Sequence, residues 1–153
     1  MSFIESIRTV LSKYAAFSGR ARRSEFWWYY LAVTIVDSVL YFVLIVPGLS
    51  AYSAATMEYA MAGDPSAPMP SMPGSLTTGY VILSLVNLAL LLPSLGAAVR
   101  RLHDTDRSGF WYLLSFIPFV GAIILIVWWA GAGTPGPNQY GPDPKAVEPA
   151  AAV

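Results

Sequence analysis

The chain has 153 residues, 56% of them hydrophobic and 12% charged, with no cysteine and a formal net charge of zero. That is far below the roughly 25% charged residues with which a soluble domain covers its surface. It also excludes disulfides, thiolate metal sites and a cysteine nucleophile. With no net charge there is no bulk field to gather nucleic acid, so the basic residues act locally.

Residues 2–17 predict an amphipathic helix: Phe3, Ile4, Ile7, Val10, Leu11 and Tyr14 recur at helical spacing, opposite Ser6, Arg8, Thr9 and Lys13. Beside a membrane span, such a helix lies in the interface plane. With the basic run Arg20-Ala-Arg-Arg23 it makes a cytoplasmic segment, 1–24. A transmembrane domain, 25–131, follows, with spans expected at about 26–46, 80–99 and 110–130, each close to the ~20 residues that cross a bilayer. The first is expected to end at Pro47-Gly48. The connection 49–78, rich in Ala, Ser, Gly, Pro and Met, shows no period and predicts a flexible extracytoplasmic loop. The tail 132–153 is too dense in proline and glycine for helix. The predicted fold class is therefore an all-α membrane protein: three transmembrane helices preceded by an amphipathic interfacial helix.

Orientation comes from the basic residues. Apart from Lys145, every Lys and Arg lies in the first 23 residues or in Arg100–Arg107, and 49–78 holds none. By the positive-inside rule the N-terminus is cytoplasmic, and three spans place the C-terminus outside, in a multi-pass membrane protein. Pro118 and Gly121 leave an alternative, in which the third segment folds into a re-entrant hairpin and returns the tail inside. A short echo, Arg23-Ser-Glu-Phe-Trp and Arg107-Ser-Gly-Phe-Trp, marks both cytoplasmic entries; arginine beside aromatics anchors any helix at a headgroup boundary.

Two polar sites stand out. Asp37, mid-span, costs on the order of 2.5–3.5 kcal/mol in hydrocarbon and needs a partner. Counting helical rise from the cytoplasmic ends puts Asn87 at the same depth, roughly 16–18 Å. The pair reads either as a proton or cation relay or as interhelical packing glue. The second site is the rim formed by Arg20, Arg22, Arg23, Glu25, Arg100, Arg101, His103, Asp104, Asp106 and Arg107. Its acids can brace some guanidiniums and leave about three positive charges for lipid phosphates. His103, Asp104 and Asp106 lack a second histidine to make a metal site, and no nucleophile-elbow pattern accompanies them. Met57, Met61, Met69 and Met72 could bind Cu(I), although compositional drift gives the same pattern.

Four segments together resemble one bacterial inner-membrane family, domain of unknown function 805, the YhaH-like proteins. They are Phe17-Ser-Gly-Arg-Ala-Arg-Arg-Ser-Glu-Phe-Trp28, Arg100-Arg-Leu-His-Asp-Thr-Asp-Arg-Ser-Gly-Phe-Trp111, Ile117-Pro-Phe-Val-Gly121 and Gly133-Thr-Pro-Gly-Pro-Asn-Gln-Tyr-Gly-Pro-Asp-Pro144. The departure is the long, Met-rich connection 49–78. The resemblance implies an integral inner-membrane protein and supplies no activity. Its motif positions fall on Gly19, Arg20, Arg22, Arg23, Glu25, Arg101, His103, Asp104, Asp106, Arg107, Asn138, Gly141 and Asp143, without roles. The resulting expectation is a non-catalytic scaffold or regulator without cofactor or metal, whose rim binds anionic phospholipid head groups or a partner, and which could form homo-oligomers. The alternative is a proton-coupled transporter or channel subunit using Asp37.

Overall fold

The computed structural model describes residues 1–64 and 66–146, so the end of the predicted tail, beyond 146, lies outside the described residues. Among those described, the regular structure is helical, apart from one isolated bridge between Asn138 and Gly141. Helix α1 (Phe3–Ser12) starts in a capping box: the Ser2 hydroxyl accepts from Glu5 N, and the Glu5 carboxylate accepts from Ser2 N.

Two helices are long and apolar enough to cross a bilayer, Arg23–Ala62 with 40 residues and Gly74–Asp104 with 31. The first comprises α2 (Arg23–Leu40), a π-helical turn (Tyr41–Ile45) and α3 (Val46–Ala62); the second is α4 (Gly74–Asp104). The expected stop at Pro47-Gly48 is therefore corrected. Proline removes a backbone donor and crowds the carbonyl four residues back, but the widened turn before it, where Val46 N donates to Tyr41 O, absorbs the misfit. Helix then continues through Ala- and Met-rich sequence to Ala62. Among the described residues of the expected flexible loop 49–78, only 63, 64 and 66–73 are non-helical.

The chain forms two compact units, one of residues 33–90 and one of residues 1–32 with those from Leu91 onward. In the first, the two long helices pack antiparallel through small residues. A methyl group at Gly79 would lie 2.8 Å from Leu44 O, so glycine sets the approach there.

In the second unit the third predicted span, 110–130, is also corrected: it is two short arms. A 3₁₀ helix (Gly109–Phe116), capped by Ser108, leads into a turn at Ile117–Phe119, and α5 (Val120–Ala130) runs back. At 2.0 and 1.5 Å per residue each arm is about 16 Å long, half of a ~30 Å hydrocarbon core. The far ends of both arms meet, with Trp111 edge-on to Trp128 at 5.6 Å and the Arg107 guanidinium 4.6 Å from the Trp128 ring centre. Phe119 turns the chain in a left-handed conformation (φ 61°), and Gly121 lies so close to Leu114 O that a Cβ cannot be placed.

Burial is inverted relative to a water-soluble protein. Arg100 and Arg101 are 1% and 0% exposed, whereas Phe110 and Phe119 are 82% and 84% exposed. A surface of large apolar side chains over buried, paired charges is what lipid as solvent selects.

If Gly121 is what permits the hairpin, Gly121→Ala should destabilise the protein by about 1–3 kcal/mol through overpacking. Gly131→Ala, whose added methyl meets only ordinary contacts at 3.4 Å, should stay within about 0.5 kcal/mol of the parent. Thermal denaturation of both variants in detergent measures the difference.

Candidate functional site

The rim residues converge, but on one another rather than on an open face. Asp104, in the last turn of α4, takes Arg20 on one oxygen and Arg101 on the other. Arg20 Nε and Nη2 lie 3.0 Å from Oδ1, and Arg101 Nη1 pairs with Oδ2. Arg100 pairs with Glu25 at 3.3 Å. Two basic groups on one carboxylate leave excess charge, and backbone carbonyls take most of the remaining donors, while Arg100 Nε is buried without a partner among the described residues. Arg101 Nε and Nη2 donate to Trp129 O (2.9 Å) and Gly131 O (2.6 Å), at the negative end of α5. Arg100 Nη1 donates to Ala16 O at 2.6 Å. Arg20 Nη1 and Nη2 donate to Gly136 O and Thr134 O, each at 2.6 Å.

These last bonds fix where the tail lies. Residues 131–146 pack on the same polar rim as residues 16–25 and 100–107. The tail also finishes α4, whose last carbonyls need partners. Thr134 N donates to Asp104 O (2.8 Å) and Asn138 Nδ2 to His103 O (2.9 Å). Gly133 passes so close to the Asp104 carboxylate that no side chain fits there. Arg22 Nε reaches Pro144 O at 2.7 Å. The Asn138–Gly141 bridge closes the tail's own turn.

His103 is buried between the N-terminal segment and the tail. Its Nδ1 lies 3.1 Å from Gly19 O, and its ring stacks on Tyr140 at 3.9 Å and 2°. A carbonyl only accepts, so Nδ1 carries the hydrogen and Nε2 is left as the acceptor. Beside it an apolar cavity of about 600 Å³ runs between α4 and the 3₁₀ arm, lined by Phe17, Val99, Tyr112 and Phe116 among others. Asp106 is exposed, in a left-handed conformation (φ 57°), and accepts from Gln139 Nε2 at 3.2 Å. No group of three His, Cys, Asp or Glu residues among the described residues could hold a metal. Met57 and Met61 lie on α3 and Met69 and Met72 in the connection, all exposed.

Arg20, Arg100 and Arg101, expected on a lipid-binding rim, are all buried, with their guanidiniums paired to acids and main-chain carbonyls. Arg23 is exposed, with one long contact to Ala130 O at 3.4 Å, and Arg107 is half-buried against Trp128. The residues that sequence reasoning missed are those on the far side of the rim: Thr134, Tyr140, Trp129 and the carbonyls of Gly131 and Gly136.

Within the other unit, Asn87 Nδ2 donates to Asp37 Oδ1 at 3.1 Å and to Leu83 O at 3.0 Å. Asp37 is half-exposed and Asn87 exposed.

The Asp143 carboxyl, at the end of the tail, is held below the usual carboxylate range. The chief cause is the hydrogen bond from Lys145 N; Gly136 N and the charges of Arg20 and Lys145 add to it, against some desolvation. A depressed value means its contribution to tail docking is complete above the ordinary carboxylate range and is lost as pH falls through the folded-state value. Amide exchange at Gly136 and Lys145, which donate to this carboxylate, should accordingly speed up beyond its intrinsic pH dependence only under acid conditions in the parent, and already at neutral pH in Asp143→Asn. Asp104→Ala should release the tail outright and destabilise the fold by about 3–5 kcal/mol, since Arg20 and Arg101 lose their buried partner. Asp106→Ala, at an exposed acid, should stay within about 0.5 kcal/mol.

A family model described as "Protein of unknown function (DUF805)" matches residues 14–142. Two relatives from Escherichia coli K12 are similar along almost the whole chain. Inner membrane protein YhaI is 40% identical over 137 residues, 90% of this chain and 92% of its own. Inner membrane protein YhaH is 42% identical over 141 residues, 92% and 95% respectively. No solved structure matches.

Proposed function

The chain belongs to the DUF805 family of inner-membrane proteins, and we propose that it acts there as a small non-catalytic scaffold whose basic face sits on anionic lipid. Two helices cross the bilayer, and the hairpin 109–130 enters from the rim side and returns to it. The positive-inside bias orients that rim toward the cytoplasm. The N-terminal segment and the tail through residue 146 then share the cytoplasmic side, in place of the extracytoplasmic tail read from three spans.

The observation that carries this reading is the commitment of the buried arginines. Arg20, Arg100 and Arg101 spend their charge on Asp104, Glu25 and main-chain carbonyls, holding the hairpin and the tail closed. That supports a structural fastener rather than a reaction centre. Lipid contact passes to the residues that remain exposed. On α1 and the turn that ends it, Ser6 and Val10 face the protein, Ile4, Leu11 and Tyr14 are exposed apolar groups, and Arg8 and Lys13 are exposed cations. A helix with that distribution lies at the headgroup boundary with its cations on phosphate.

Each basic residue near an anionic surface is worth about 1 kcal/mol. Arg8→Gln with Lys13→Gln should thus reduce retention of phosphatidylglycerol in native mass spectrometry by up to about fivefold per charge, with phosphatidylethanolamine unaffected. Equal retention of both lipids by parent and variant would reject the lipid-contact role.

A further inference from the structure

We propose that the Asp37–Asn87 pair is half of a hydrogen-bonded interface between two copies of this chain within the bilayer. The proposal rests on the long helices crossing the membrane, and is independent of lipid binding by α1.

Asp37 lies 11 residues beyond Phe26, about 16 Å along the helix and so near the middle of a ~30 Å hydrocarbon core. Polar side chains at that depth face protein or water, because lipid offers them nothing. Here the pair points away from its own chain: Asn87 is exposed and Asp37 half-exposed. Its internal bonds are also incomplete. Both hydrogens of Asn87 Nδ2 are used, on Asp37 Oδ1 and Leu83 O. Among the described residues, Asp37 Oδ2 and Asn87 Oδ1 have no partner.

Those two vacant atoms complement each other. With its proton on Oδ2, Asp37 presents an O–H donor, and Asn87 Oδ1 beside it is an acceptor. A second copy related by a twofold axis brings the acceptor to the donor and the donor to the acceptor, so one operation forms two bonds. That is the self-complementarity an isologous dimer requires. The flanks permit close approach: Thr34 and Ser84, one turn from the pair on the same helix faces, are small and exposed. A soluble ligand or ion would need a polar path to this depth, whereas a second copy needs only lateral diffusion.

The absence of cysteine allows a single label at Ser71→Cys, an exposed position in the connection. Energy transfer between donor- and acceptor-labelled copies in liposomes is measured as lipid dilutes the protein. Two interhelical hydrogen bonds are worth roughly five- to tenfold in association, so Asp37→Leu and Asn87→Leu should each shift the dilution midpoint by about that factor. Asp37→Asn, which keeps a neutral donor, should stay near the parent. A mixture of Asp37→Leu with Asn87→Leu regains one bond, from Asp37 of one copy to Asn87 of the other, and should associate more tightly than either variant alone. Leucine at these positions favours insertion, so a shifted midpoint is not a folding failure. Midpoints unchanged in both leucine variants, or a mixture no tighter than its components, would overturn the proposal.

Discussion

One carboxylate, Asp104, holds this structure closed. It ends α4, it is 4% exposed, and it takes a guanidinium from each of two directions: Arg20 from the N-terminal segment and Arg101 from one helical turn before it. Removing either partner of a buried ion pair is far costlier than the pair's net stabilisation, because the remaining charge is stranded. The arrangement therefore acts as a geometric lock. Arg101 reaches on to the end of α5, and Arg20 to the tail, so the hairpin and the tail are tied through the same acid. Gly133 is a consequence of this lock, since the tail must pass where any side chain would strike the carboxylate.

The lock also accounts for a hairpin that would otherwise be poorly placed. Two arms of about 16 Å cannot cross a bilayer, and a turn within hydrocarbon must satisfy its own backbone. Ile117 N and Gly121 N do so, donating to Leu114 O and Ile117 O at 2.9 and 3.1 Å. At the other end the arms reach the rim, where tryptophan, arginine and main-chain carbonyls meet polar surroundings. Aromatic rings and guanidiniums suit that boundary, with one apolar and one wet end.

Much of this was legible in the residues. Helical rise alone placed Asn87 level with Asp37, and the structure brings them to 3.1 Å. Of the acids expected to brace arginines, Glu25 and Asp104 do so, whereas Asp106 is exposed and accepts from Gln139. What could not be read was which partners the remaining donors take, because they are main-chain carbonyls, of Ala16, Trp129, Gly131, Thr134 and Gly136, which no side-chain pattern marks. Hydropathy also misled at 110–130: an unbroken apolar run has span length whether or not it turns, and the turn depends on one left-handed residue, Phe119, and one close contact at Gly121. At Pro47 the sequence signals a stop, yet a single widened turn carries the helix past it. In both places local backbone geometry outweighed pattern.

With the buried charges spent on closure, we assign lipid contact to α1 and the exposed rim, and self-association to the unspent hydrogen-bonding capacity of Asp37 and Asn87. All of it presumes that tail and N-terminal segment occupy one compartment. Single cysteines at Ser18, Ser71 and Lys145 in an otherwise cysteine-free chain can be reacted with an impermeant maleimide in right-side-out and inverted membrane vesicles. Positions 18 and 145 should label together in inverted vesicles, and 71 in right-side-out ones. Labelling of position 145 alongside 71 would contradict the account.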